Sequence, residues 1–395
     1  MNQSSQFPCL AQICYPYTRC NNFLLVHPSR FLYIPNTMAM KSAKNKDILT
    51  LIRKQVRKLA AYHVDETSVR IKLDAMENPF LIPEAVRREM AQVVRKTPIN
   101  LYPDPSAKKV KKSIASFWKM RPEHMILGNG SDELIQVIIL AFGGPVLIPV
   151  PTFAMYEITS RALAQSVVTV PLDDTFDLNA DLVLKKAKER KAKVIFLACP
   201  NNPTGNRFSD KEIRKVLDNA GTAVVIDEAY FSFSGKTYLP LLKKYPNMII
   251  LRTLSKIGFA GLRIGVLTAS QAIVDELNKI RLPYNINSLS QAVAIIALKH
   301  KNVIKRHISL LISEREKLYN ALSQLRNVIV YPSETNFIMF RTVADASGIH
   351  RKLKQAGILI KNLNKPGPLK NCLRVTIGTP EENIEFLKRL KRILA

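Results

Sequence analysis

The chain has 395 residues, 47% hydrophobic and 23% charged, the balance of a water-soluble globular protein long enough for one large domain and a smaller second one. Lys and Arg number 59 against 31 Asp and Glu, a formal net charge of +28. The basic residues are nevertheless spread over many segments, in runs such as Lys108 to Lys112 and Lys185 to Lys193 that suit polar helix faces, and no zinc-finger spacing or RNA-binding aromatic motif accompanies them.

Three of the 5 cysteines lie at Cys9, Cys14 and Cys20, with Cys199 and Cys372 far downstream. That pattern offers neither a disulfide framework nor a metal site, and no apolar run approaches the length of a membrane span. The expectation is a cytoplasmic protein with no nucleic-acid partner, no membrane contact and no metal.

Residues 1–46 contain no Asp or Glu and show no periodicity. They read as an organelle transit peptide or, preferably, as a disordered or non-native extension ahead of a start at Met38 or Met40. From Asp47 the pattern DILTLIRKQVRKLAAY predicts a first arm helix. The segment IKLDAMENPF, Ile71 to Phe80, ends in an Asn-Pro break, a helix is expected over about 83–94, and Tyr102 to Pro105 forms a turn. Residues 47–95 are read as an arm contributing to the small domain.

Over 96–286 short apolar segments near His124, Pro145, Ser166, Val194, Ala223, Met248 and Ile264 alternate with helical stretches or long connections. This predicts an α/β domain with a mostly parallel sheet, whose ligands collect at the carboxyl ends of its strands. Over 287–395 a long helical region is followed by strands and helices in irregular order, a smaller α+β domain.

The chemistry-bearing residues sit where those strands end. LGNGSDE, Gly128 to Glu133 after Leu127, runs into a helix whose first amides, at Ser131 and Asp132, suit an anion, although a plain helix cap would read the same. Phe153, after the next strand, either stacks on a flat ring or packs beneath its loop. Asn202, in the turn ACPNNPTGN, is placed to offer its amide to a phenolic oxygen. Asp227 ends VVID, where an unpaired buried carboxylate would be costly and a protonated ring nitrogen would partner it; Tyr230 follows in the same turn.

In LRTLSKIGFAGLRIG, Lys256 is surrounded by Thr253, Ser255, glycines and Arg263. Lysine amines condense with aldehydes, and the commonest phosphate-bearing aldehyde in biology is pyridoxal phosphate. Each residue singly has an ordinary structural explanation; the series at successive strand ends is what points to chemistry.

From about Asp47 to the C-terminus the chain resembles the fold-type I, aspartate-aminotransferase-like pyridoxal-phosphate enzymes, and more narrowly the histidinol-phosphate aminotransferases. The resemblance rests on ENP at Glu77 to Pro79, YPDP at Tyr102 to Pro105, GNGSDE, CPNNPTGN, DEAY, TLSK and LRVTIGT at Leu373 to Thr379. It implies that Lys256 binds the cofactor covalently and shuttles a proton at the substrate α-carbon. Asp227 would pair with the pyridine nitrogen, Asn202 and Tyr230 would contact the ring oxygen, and Phe153 would stack on the ring.

On the same resemblance, Ser131, Asp132, Thr253, Ser255 and Arg263 would hold the cofactor phosphate, with Tyr102 reaching the phosphate of the neighbouring subunit in a homodimer. Arg374 would bind substrate anions, Tyr62 would border the substrate, and Lys361 stands where many members carry a second anion-binding arginine. Phe153 replaces a frequent tyrosine, Leu101 a frequent arginine, and Arg263 follows Lys256 one residue sooner than in many members.

The implied reaction is amino-group exchange between L-histidinol phosphate and 2-oxoglutarate, yielding imidazole-acetol phosphate and L-glutamate, in L-histidine biosynthesis. Alternatives on the same scaffold are an aromatic amino acid aminotransferase and a phospho-amino-acid decarboxylase. A different class would be a non-catalytic basic nucleic-acid-binding protein.

Overall fold

The computed structural model describes residues 48–61 and 64–395, so the expectations for the first 46 residues and for Tyr62 lie outside the described residues. A seven-stranded sheet is built from β2 (Met125–Asn129), β3 (Val146–Val150), β4 (Val167–Pro171), β5 (Val194–Ala198), β6 (Ala223–Asp227), β7 (Met248–Thr253) and β8 (Ile264–Thr268), in the order β2-β8-β7-β6-β5-β3-β4. Pairing is parallel from β7 through β4, and β8 runs antiparallel to both its neighbours. The α/β architecture expected from the alternation is therefore present.

Successive side chains on a strand face opposite sides. Ile195 and Leu197 of β5 pack with Val183 and Ile213, whereas Val194, Phe196 and Ala198 pack with Leu134 and Ile138. Both faces are covered, which is why these strands read as continuous apolar runs rather than alternating ones.

A second sheet has the order β1-β11-β12-β10-β9, with β1 (Ile71–Leu73), β9 (Val328–Val330), β10 (Phe337–Thr342), β11 (Ile358–Asn362) and β12 (Cys372–Thr376). β1 comes from the N-terminal part of the chain and pairs parallel with β11. The remaining pairings are antiparallel.

The arm helix expected from Asp47 is not continuous. A 3₁₀ turn spans Ile48–Leu51 and a single α-helical turn spans Lys54–Arg57, neither with a buried residue. Arg53 with Arg57, and Lys54 with Lys58, would be like-charged neighbours on a longer helix, and with no face to bury nothing offsets their repulsion. The long helical region from Asn287 is two helices, Ser288–Lys299 and Lys301–Ser323. The basic run Lys108 to Lys112 lies on the helix Lys108–Trp118 as expected, whereas the run from Lys185 leaves the helix Ala180–Glu189 at its end, with Arg190, Lys191 and Lys193 in the following turn.

One buried ion pair ties the sheet together beside its ligand edge. Glu228, directly after β6, accepts from Nε and Nη2 of Arg252 on β7 at 3.0 and 2.8 Å. It also accepts from the Thr237 hydroxyl at 2.9 and 2.8 Å and from the Tyr238 amide at 2.6 Å. The Arg252 guanidinium lies 3.7 Å from the Phe231 ring centroid and 5.4 Å from that of Trp118.

Removing one partner leaves an uncompensated buried charge. Arg252→Met is expected to cost about 3–5 kcal/mol, read as a lowered urea midpoint with an unchanged slope. A loss within ~0.5 kcal/mol, the size of an ordinary surface substitution, would show that the pair does not fasten β6 to β7.

Candidate functional site

The carboxyl edge of the large sheet gathers the expected residues around a cavity of about 240 Å³. Ser131, Asp132, Phe153, Asn202, Asp227, Tyr230, Thr253, Ser255, Lys256 and Arg263 all line it, with Ala75, Met76 and Glu77 on the facing wall. Arg263 precedes its strand, yet reaches the same edge because β8 runs opposite to its neighbours: Asn129 pairs with Ile264 and Thr253 with Gly265.

The cup at the end of β2 depends on missing Cβ atoms. Gly130, at φ +85°, is the residue before the helix Ser131–Phe142, and a Cβ there would collide with the Arg263 guanidinium. A Cβ on Gly265 would lie 2.5 Å from the Ser131 amide nitrogen. Only glycine admits both approaches. The first-turn amides of that helix lack intrahelical partners and carry the positive end of its dipole.

Glu133, which stands where a dinucleotide fingerprint would have glycine, accepts from the Asn129 amide and from Asn285 Nδ2 at 3.0 Å. It braces the cup as a carboxylate in the first helical turn. Arg263 adopts a left-handed backbone, φ +51°, after the 3₁₀ turn Ala260–Leu262, and its Nη2 donates to Asp132 Oδ2 at 3.2 Å. The shortened spacing from Lys256 is thus taken up by a tight turn, at a conformational cost of about 1–3 kcal/mol.

Asp227 is buried at the cavity floor. Its Oδ2 accepts from the Tyr156 hydroxyl at 2.6 Å and its Oδ1 from the Ala229 amide at 3.0 Å. Burial pushes its carboxyl up to about 6, against the pull of those two donors. Tyr156 was not singled out by sequence. It stacks on Phe196 at 4.7 Å between centroids and meets Phe153 edge-on at 5.6 Å. Its signal was the three-residue step from Phe153, which puts it on the inward face of the helix Ala154–Ala162 one turn below the cavity rim.

Lys256 follows β7. Burial first, and then the nearby Arg374 and Arg263 charges, push its ammonium down to about 8, while Asp132 and Glu77 oppose the shift. Its Nζ lies 5.8 Å from the centroid of the Tyr230 ring. Asn202 Nδ2 donates to the Tyr230 hydroxyl at 3.4 Å, and Asn202 Oδ1 accepts from Arg374 Nη1. Arg374 Nη2 donates to the Asp74 carbonyl at 2.9 Å. Thr253 Oγ1 donates to Ser255 Oγ at 2.9 Å and accepts from the Ser255 amide at 3.1 Å, setting one turn of the β7–β8 connection.

Three expected residues are not among those lining this cavity: Lys361, Tyr102 and Arg374, the last of which meets it through Asn202. Lys361 pairs with Arg374 across β11 and β12 and is not among the lining residues; directly opposed residues share a sheet face, so its side chain is on the Arg374 side. Tyr102 is 81% exposed and stacks on Tyr284 at 4.5 Å. Around it Ile99, Leu101 and Leu289 are also exposed.

Among known proteins, the pattern of aminotransferase class I and II matches residues 68–390. Histidinol-phosphate aminotransferase 2 of Nitrosococcus oceani is 43% identical over 346 residues, covering 86% of this chain and 96% of that protein. The crystal structure of the histidinol-phosphate aminotransferase from Clostridium acetobutylicum superposes with a TM-score of 0.76 at 25% identity, covering 82% of this chain and 99% of that one. That of the Sinorhizobium meliloti enzyme in complex with pyridoxal-5'-phosphate shares the fold, with a TM-score of 0.78 at 23% identity over 90% of this chain and 99% of that one. With its strand-end cavity, its lysine and the extent of these matches, the chain belongs to the class I and II aminotransferases and, within them, to the histidinol-phosphate aminotransferase family.

Proposed function

We propose that the chain exchanges the amino group of L-histidinol phosphate with 2-oxoglutarate, giving imidazole-acetol phosphate and L-glutamate in cytoplasmic L-histidine biosynthesis. The observation that carries this reading is a lysine amine driven toward its free base in a cavity floored by a buried carboxylate, with Arg263 and Arg374 close enough to act on it. Pyridoxal 5′-phosphate is the cofactor, and its ring supplies the sink for electrons released at the substrate α-carbon.

The donor set suits that group. Asp227 would pair with the ring nitrogen, Asn202 and Tyr230 would contact the ring oxygen, and Phe153 would stack on the ring. The amides of Ser131 and Asp132, with Thr253, Ser255 and Arg263, would hold its phosphate. Lys256 would bind its aldehyde and, as a free base, would move the proton at the substrate α-carbon. Arg374 offers a planar, permanently charged fork suited to the phosphate of one substrate and the carboxylate of the other, Lys361 adds a second cation on its face of the sheet, and Tyr62 borders the substrate. We read residues 47–95 as the arm, 96–286 as the cofactor domain and 287–395 as the small domain.

The exposed apolar patch around Tyr102 supports a homodimer in which Tyr102 reaches the cofactor phosphate of the neighbouring subunit. Among the described residues no helix is long and apolar enough to cross a membrane.

Lys256→Ala is expected to abolish steady-state transamination of histidinol phosphate; retained turnover would sink the assignment. Because only the unprotonated amine attacks an aldehyde, cofactor uptake by stripped protein should quicken as pH rises and level off above about 8. A rate still climbing past pH 10 would mean that the cavity does not lower this lysine. The Tyr156 hydroxyl holds Asp227 down, so in cofactor-free protein Tyr156→Phe should raise the carboxyl above about 6, read as a shifted carboxyl titration by difference infrared spectroscopy. An unmoved titration would separate the two groups.

A further inference from the structure

Three carboxylates line the cavity, and two of them are committed. Asp132 is held by Arg263 at 3.2 Å, and Asp227 takes the Tyr156 hydroxyl and a backbone amide. The third, Glu77, has a looser contact: its Oε2 is 3.5 Å from Lys72 Nζ, which sits closer, at 3.0 Å, to Asp74. A carboxylate accepts up to about four hydrogen bonds, so Glu77 keeps accepting capacity at the cavity wall.

Its backbone is fixed. The Met76 amide donates to Thr376 Oγ1 at 3.0 Å, Asn336 Nδ2 donates to the Met76 carbonyl at 3.0 Å, and Arg374 Nη2 donates to the Asp74 carbonyl at 2.9 Å. Met76 itself is held at φ +54°. The segment that presents Glu77 is therefore anchored to the same strand that carries Arg374.

We propose that Glu77 accepts the imidazole N–H of the amino donor and is the residue that selects an N–H-bearing ring over a plain aromatic one, an inference that rests on the histidinol-phosphate reading above. Of the charges that act on Lys256, Asp132 is already paired with Arg263 and Arg374 is a cation suited to the phosphate end of such a substrate, leaving Glu77 as the acceptor for its opposite end. The Glu77 side chain is 58% exposed, so water meets it when a ring brings no N–H, and the discrimination expected is that of one hydrogen bond exchanged with water.

The test uses holoenzyme in single-turnover half-reactions with L-histidinol phosphate and with L-phenylalaninol phosphate, which keeps the amine and the phosphate and lacks the ring N–H. Wild type should prefer histidinol phosphate. Glu77→Leu should lower the ratio of the two efficiencies by roughly two- to tenfold, and Glu77→Gln, whose amide oxygen still accepts, should lower it less.

A wild type without preference, or a ratio unchanged by Glu77→Leu, overturns the proposal. A fall shared equally by both amines also overturns it, since it would trace to Lys256 or to folding; a pH titration of the lysine-bound cofactor's visible band distinguishes those two. If wild type ignores histidinol phosphate yet transaminates phenylalanine, the functional reading itself fails and Glu77's role falls with it.

Discussion

The Arg252–Glu228 pair is the constraint on which the reaction centre depends. It lies one residue beyond Asp227 on one strand and one residue before Thr253 on the next. Two ions taken this far out of water are tolerable only when every remaining donor and acceptor is met, and here Thr237, Tyr238 and two aromatic faces supply the difference. The pair thereby fixes the relative height of β6 and β7. It sets the distance between a carboxylate at the cavity floor and a lysine at its rim.

Given that frame, the electrostatics of the cavity follow from burial. Desolvation acts on Asp227 and Lys256 in opposite directions, raising one to about 6 and lowering the other to about 8, so Asp227 loses its charge below about 6, Lys256 loses its charge above about 8, and between the two both are charged. Neighbours then adjust each in turn: Tyr156 and a backbone amide keep Asp227 available as an anion, while Arg374 and Arg263 favour the unprotonated lysine. The arginines proposed to bind anions are thus also the groups that lower the amine.

Much of this was legible because a buried strand announces its end by the polar or glycine-bearing residues that follow it. Asp227 stands directly after VVI, while Ser131, Asn202 and Lys256 stand in the turns a few residues past such runs, and all four line the cavity. Arg263 was readable as a cation but not as one that reaches, since the reversal of β8 and the left-handed turn before it have no mark in the sequence beyond a few glycines.

Tyr156 was invisible for a different reason: its role depends on which residue faces it across the sheet, and tyrosine on an apolar helix face looks the same whether or not a carboxylate waits beneath. The continuous arm helix failed where periodicity was read without asking what its apolar face would pack against. Lys361 was found by position alone, and only the register of β11 on β12 relates it to Arg374.

The placement of β8 between β2 and β7 has a consequence for biosynthesis of the protein itself. The anion cup is made of Gly130 and Ser131 from an early part of the chain and Arg263 and Gly265 from a much later one, joined by the ladder from Met125 to Thr268. Such non-local pairing is slow and closes late. A nascent chain emerging from the ribosome therefore has no such cup until strand eight has been released and has paired between two strands made before it. A closed cup is thus the mark of a sheet whose last strand is in place.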